Sequence, residues 1–177
     1  GMVRDDLAAL PSQKRFATIV TGVRRGGKST LLRQWAHGLK VKVVSVLFDD
    51  LRLMNFLSQD FVLLGKILSD RKAEAVVLDE VQDIDGWELF VNGLLNQGLL
   101  VFVTGSNAKM LSRELGTKLT GRHLDFHLDP FSYSEFLRFK NLPNTPESFM
   151  DYLRIGGFPA YVESENRQVL AELFNDI

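Results

Sequence analysis

Between two apolar segments the chain reads Gly22-Val23-Arg24-Arg25-Gly26-Gly27-Lys28-Ser29-Thr30, a glycine, four residues, a second glycine, lysine and a hydroxyl residue. Residues 16–21 predict a buried strand and residues 31–37 a helix, so the glycine-rich stretch joins the one to the other. That order leaves few folds open. A helix following a strand through a tight loop must pack back on a sheet, and the next strand then runs parallel to the first. Gly22, Gly26 and Gly27 leave no side chain between the backbone amides and an anion. The loop N–H groups and the start of the helix together make an anion nest. Lys28 supplies a mobile positive charge for β- and γ-phosphates, and the Ser29 hydroxyl suits magnesium. Residues 22–30 are therefore read as a nucleotide-binding loop.

Further strands and helices alternate along the rest of the chain. Residues 41–48 and 75–78 are β-branched and almost continuously apolar, as strands buried on both faces are, and 99–103 read likewise. Helices are predicted over 59–69, with Phe61, Leu64, Ile67 and Leu68 on one face, and over 87–96 and 108–115. The Leu7–Leu10 patch within residues 3–15 suggests a helix packed on the sheet edge. Residues 123–128 alternate instead, with Leu124, Phe126 and Leu128 on one face and His123, Asp125 and His127 on the other. This reads as an edge strand with one wet face in preference to a metal site. Beyond Pro130 short helices follow, over 132–140 and 146–155, with Phe136, Leu137 and Phe139 as core. Gly156-Gly157-Phe158-Pro159 breaks the pattern, and another helix begins at Arg167. Strands alternating with helices predict a parallel α/β sheet covered on both faces, and a chain that is part of a longer protein.

Composition excludes several classes. At 177 residues the chain suits one domain with a small appendage. A net charge of −1 opposes a surface wholly committed to nucleic acid. The absence of cysteine removes disulfides, thiolate catalysis and cysteine metal sites. No apolar run approaches the ~18 residues that span a bilayer. The first residues do not form a signal peptide, and Gly1 ahead of Met2 reads as the remnant of a removed tag. A cytoplasmic location is the expectation.

In open parallel sheets, ligands sit at the carboxyl ends of the strands. Lys28, Asp79-Glu80 and Ser106-Asn107 all fall just past predicted strand ends and so share one rim. Asp79 is assigned to magnesium or its water ligands, and Glu80 to orienting or deprotonating an attacking water. Adjacent residues on a strand point to opposite faces, so this pair needs a bend after Asp79. Asn107, somewhat before Ser106, is assigned to the γ-phosphate or the water.

With these parts in place the chain resembles the prokaryotic AAA-type ATPases of the AAA+ superfamily. It shares their phosphate loop, Leu78-Asp79-Glu80-Val81-Gln82, Thr104-Gly105-Ser106-Asn107, Leu119-Thr120-Gly121-Arg122, Pro130-Phe131-Ser132-Tyr133-Ser134-Glu135-Phe136 and Gly156-Gly157-Phe158-Pro159. The resemblance covers about 16–177 and corresponds to the ATPase part of such proteins. It implies an α/β P-loop NTPase sandwich with strand order 5-1-4-3-2, an ATPase core over 1–130, a small helical lid over 131–177 continuing into a further region, ATP as the nucleotide and Mg²⁺ as the ion. Arg122 is either an arginine finger, in cis or towards a neighbouring subunit, or a surface ion-pair partner of Asp125 or Glu114. The leading expectation is an ATPase domain that turns hydrolysis into movement of a lid or partner. The alternatives are a slow ATP-binding switch and the ATPase part of a DNA-associated defence or recombination protein. A homo-oligomer and a protein or DNA target are open as partners, a membrane is not, and a small-molecule phosphotransferase is disfavoured.

Overall fold

The computed structural model describes residues 4, 5, 8, 10–105, 119, 121–166, 168 and 169. Among the described residues, five strands form one parallel sheet: β1 (Ala17–Thr21), β2 (Val43–Leu47), β3 (Ala75–Asp79), β4 (Leu100–Thr104) and β5 (His123–His127). Their order across the sheet is β2-β3-β4-β1-β5, the expected order read from the other edge. The strand leading towards Asn107 thus lies beside the strand leading into the glycine-rich loop at Gly22.

The pleat explains why the central strands are apolar throughout. Val76 and Leu78 of β3 face one side, with Ile19 of β1 and Val101 and Val103 of β4. Ala75 and Val77 face the other, with Val20 and Phe102. The first face is covered by α2 (Phe61–Asp70) and α3 (Trp87–Asn96), through Phe61, Leu64, Leu68, Trp87, Val91 and Leu94. The second is covered by α1 (Lys28–Gly38), through Leu31, Leu32 and Trp35, the Trp35 ring 3.8 Å from that of Phe102. At Ala17, Ile19, Val76, Leu78 and Val103 nothing is exposed, so β1, β3 and β4 form a rigid three-strand centre.

Past the sheet come α4 (Tyr133–Lys140), α5 (Pro146–Ile155) and α6 (Pro159–Ser164). They share a separate cluster of Phe131, Phe136 and Val162, edged by Tyr133, Leu137, Tyr152 and Ile155. α4 starts at a capping box, where the Ser132 hydroxyl accepts the Glu135 N–H and Glu135 accepts the Ser132 N–H at 3.0 Å. α5 has Thr145 as cap and Pro146 in its first turn.

Four expectations change. Among the described residues, the helix expected within residues 3–15 is confined to short turns, with Asp5 and Ala8 in 3₁₀ conformation and 10–15 non-helical: Pro11 removes a donor, its carbonyl accepts the Thr18 hydroxyl at 2.6 Å, and Leu10 is buried on the α1 face. After the break at Gly156-Gly157-Phe158 comes a helix not predicted, α6, which Pro159 opens, its missing N–H costing nothing in a first turn. Phe139 is 37% exposed rather than core, whereas Phe136 is fully buried. β4 runs one residue further than predicted and takes in Thr104. The expected helix over 108–115, Ser106, Asn107, Thr120, Arg167 and residues 170–177 lie outside the described residues.

Candidate phosphate and metal site

The loop after β1 is shaped by backbone constraints. Gly22 has φ 144°, and a Cβ there would lie 2.4 Å from the Leu128 carbonyl oxygen, so only glycine fits. The Gly26 N–H closes a turn on the Val23 carbonyl at 3.1 Å. Arg25 (φ 60°) and Gly27 (φ 96°) are left-handed, and Gly27 caps α1. Left-handed residues among right-handed ones turn successive N–H groups inward, the geometry of an anion nest. Lys28 is the first residue of α1 and only 4% exposed. Its Nζ donates to the carbonyls of Gly22 (3.2 Å) and Val23 (3.1 Å) and lies 3.8 Å from Glu80 Oε1. Burial pushes the Lys28 ammonium below the ordinary lysine range, while Glu80 and then Asp79 pull it back up.

The acidic pair is ordered by β4. In the register Leu78 faces Val103, which sets Asp79 beside Thr104. The Thr104 hydroxyl donates to Asp79 Oδ1 and accepts the Glu80 N–H at 3.0 Å. On the other side the Phe48 N–H donates to the Asp79 carbonyl at 2.9 Å. Glu80 itself is left-handed, φ 57° and ψ 44°. This is the bend the sequence required, and it brings both carboxylates to one rim. Gln82 Nε2 donates to Glu80 Oε2 at 2.9 Å, from the short 3₁₀ turn Val81–Asp83.

Two cavities meet at Ser29. One of about 540 Å³ is lined by Arg24, Arg25, Ser29, Asp49, Glu80 and Gln82 among others. The other, about 340 Å³, is lined by Ser29, Arg33, Asp49 and Asp79. A serine hydroxyl and a buried carboxylate opening on one cavity are hard oxygen donors, and they fit a magnesium ion. A third cleft, about 270 Å³, lies beside Gly27 and Thr30, walled by Phe131, Phe139 and Pro159, with Arg4, Gln34 and Glu163 at its polar side.

Not every expected site residue joins this group. Lys28, Ser29, Asp79 and Glu80 come together, as do the loop residues Arg24 and Arg25. Arg122 does not. Its carbonyl accepts the N–H of Ala17, the first residue of β1, so it sits at the amino-terminal rim of the sheet. Five residues of strand separate the rims by roughly 13 Å at about 3.3 Å per residue. Its guanidinium bonds Asn96 Oδ1 (2.8 Å) and the Arg15 carbonyl (3.4 Å), and Asp125 lies 3.8 Å from His123 Nε2 instead. Arg122 and Lys28 thus lie at opposite rims of the sheet. On β5, Asp125 and His127 are exposed on an edge strand, and among the described residues no three acidic or histidine side chains gather as a metal-binding group.

Sequence reasoning missed Thr104, Gln82 and Arg4. Thr104 was detectable as a hydroxyl closing an apolar strand, and Gln82 as an amide two residues past a carboxylate at a strand end. Arg4 carried no signal, because its side-chain partners, Gly26, Asp129 and Glu135, lie far along the chain.

Comparison with known proteins agrees with this architecture. An uncharacterized protein of Methanocaldococcus jannaschii is 33% identical over 177 residues, which is 90% of this chain and 40% of that protein. One of Haemophilus influenzae is 32% identical over 181 residues, 92% of this chain and 45% of the other. The chain thus spans less than half the length of these relatives. Among solved structures, a Walker-type ATPase of Pyrococcus abyssi superposes with a TM-score of 0.50 at 18% identity, over 82% of this chain and 60% of that one. A signal transduction ATPase with numerous domains and a tetratricopeptide repeat sensor, from Pyrococcus horikoshii, gives 0.57 at 15% identity, over 100% of this chain and 32% of the other. At such identities these two speak for the fold alone. No helix among the described residues is long and apolar enough to cross a membrane. The profile of the AAA domain family matches residues 14–137, and the chain belongs to that family.

Proposed function

We propose that this chain is a magnesium-dependent ATPase domain. The loop amides of residues 22–30 and Lys28 hold the β- and γ-phosphates, and Ser29 and Asp79 hold the ion. Bound Mg²⁺ would neutralise charge on the phosphate oxygens. Glu80 orients or deprotonates the attacking water. The cleft beside Gly27 and Thr30 is suited to the base, since its Phe131 and Phe139 rings offer apolar surface and its polar side hydrogen-bonding groups. The observation that carries this reading is the left-handed turn at Glu80, which sets its carboxylate 3.8 Å from the Lys28 ammonium instead of on the far face of the sheet. A carboxylate there repels a γ-phosphate in the ground state and is useful only towards a water.

Glu80→Gln tests it. The variant is expected to bind ATP as tightly as the native chain, or tighter, with turnover reduced roughly 10²–10⁴-fold. Equal turnover in the two proteins would refute the hydrolytic role.

A second reading, a slow ATP-binding switch, draws on the contact between Gln82 and Glu80 at 2.9 Å. A base held by an amide on one oxygen is less free to take a proton. In that case Gln82→Ala raises turnover; in the first reading it lowers it. We treat 131–177 as a helical lid over the site, and place the movement of that lid, of a neighbouring copy or of a protein or DNA target downstream of hydrolysis.

A further inference from the structure

We propose that Arg4 is a positioning residue for the phosphate loop: it holds the Gly26–Gly27 peptide in its nest orientation and ties that orientation to α4. The proposal rests on the reading of residues 22–30 as a nucleotide loop. Arg4 is 4% exposed, and a cation so buried needs several partners. Its guanidinium meets three separate parts of the chain. Nη2 donates to the Asp129 carbonyl at 2.7 Å, Nη1 to the Gly26 carbonyl at 3.4 Å, and Nε lies 2.9 Å from Glu135 Oε1. The guanidinium carbon also stands 4.9 Å over the Phe131 ring.

The Gly26 contact matters because of peptide geometry. A trans peptide is planar, and its C=O and N–H point in opposite directions. Drawing the Gly26 carbonyl towards Arg4 therefore aims the Gly27 N–H the other way. Two adjacent glycines hold little orientation of their own, so a pin from outside has something to fix. The far end of the pin is firm. Glu135 is 2% exposed and accepts the N–H groups of Asp5 and Ser132, each at 3.0 Å. A shift of the first turn of α4 thus moves the guanidinium, and with it the Gly26 carbonyl.

The test uses the full chain and inorganic tripolyphosphate with Mg²⁺, a probe that has phosphates but no base, beside ATP. By calorimetry Arg4→Ala is expected to weaken both ligands alike, about tenfold, as the loss of one charge-assisted contact would. Arg4→Lys keeps the charge beside Glu135 but cannot offer a planar fork to three acceptors, so it too is expected to weaken both. If Arg4→Ala does not fold, Arg4→Lys decides. Unchanged tripolyphosphate affinity in a folded variant overturns the proposal. A loss confined to ATP overturns it too, since Arg4 would then be only a wall of the base cleft, and so does a loss confined to melting temperature. Should the native chain bind neither ligand while folded, the nucleotide-loop reading falls as well.

Discussion

The hydroxyl of Thr104, at the end of β4, donates to the Asp79 carboxylate and in the same place accepts the Glu80 N–H at 3.0 Å. A hydroxyl has one proton to give and lone pairs to accept with, so one side chain orders both members of the acidic pair. Thr104→Val keeps the shape and removes both bonds. It is expected to cost about 1–3 kcal/mol in urea unfolding, since a buried carboxylate oxygen loses its donor. ATP turnover is expected to fall more than ATP affinity, and Thr104→Ser to restore most of both.

In the proposed function Lys28 meets opposed demands of stability and binding. Burial depresses its ammonium, so the folded state holds that proton less tightly than the unfolded chain does. Stability from this group therefore rises as pH climbs from its lowered value towards the ordinary lysine range. Lys28→Met is expected to melt higher than the native chain near neutral pH, with the gap closing as pH rises through that window. The same variant is expected to lose ATP affinity by roughly ten- to a hundredfold. Calorimetric scans from pH 7 to 10 with ATP titrations read out both; a destabilised variant at neutral pH contradicts the first.

Asp79 and Glu80 are neighbours with different predicted roles. Asp79→Asn is expected to weaken the magnesium-dependent part of ATP binding and to leave binding in chelator nearly unchanged. The check is an ATP titration with and without Mg²⁺ on the native chain, Asp79→Asn and Glu80→Gln. Equal losses in both variants under both conditions would dissolve the division.

Gly157 tests how the helical part closes on the sheet. Its carbonyl accepts the Phe131 N–H at 2.6 Å, and a Cβ at Gly157 would lie 2.2 Å from the Phe131 carbonyl oxygen. That oxygen also accepts the Tyr152 hydroxyl at 2.9 Å, so it cannot shift cheaply. Gly157→Ala is expected to destabilise by about 1–3 kcal/mol, as strained or overpacked positions do. Because Phe131 lines the cleft beside Gly27, nucleotide affinity is expected to fall with it.

The sequence by itself determined the glycine-rich turn between β1 and α1, the parallel sheet and the presence of acids at a strand end. These follow from local chemistry: glycines where amides must approach an anion, apolar runs of strand length, carboxylates where such a run stops. The wet edge at β5 was legible for the same reason, because alternation at Leu124 and Phe126 repeats at the period of a strand. The starts of α3 and α5 were legible to the residue, since Gly86, Thr145 and Pro146 mark them.

Only the tertiary structure decided who meets at the rim and who does not. Arg122 looked like a candidate finger beside a glycine, yet parallel strands send the two ends of β5 to opposite rims. Thr104 mattered only once β4 lay beside β3, and Arg4 only once the fold had brought Gly26, Asp129 and Glu135 around one guanidinium. The reason is common to these cases. A loop motif is read by its own backbone and spacing, whereas a hydrogen bond between residues 25 or 130 positions apart exists only after the sheet order has closed the distance.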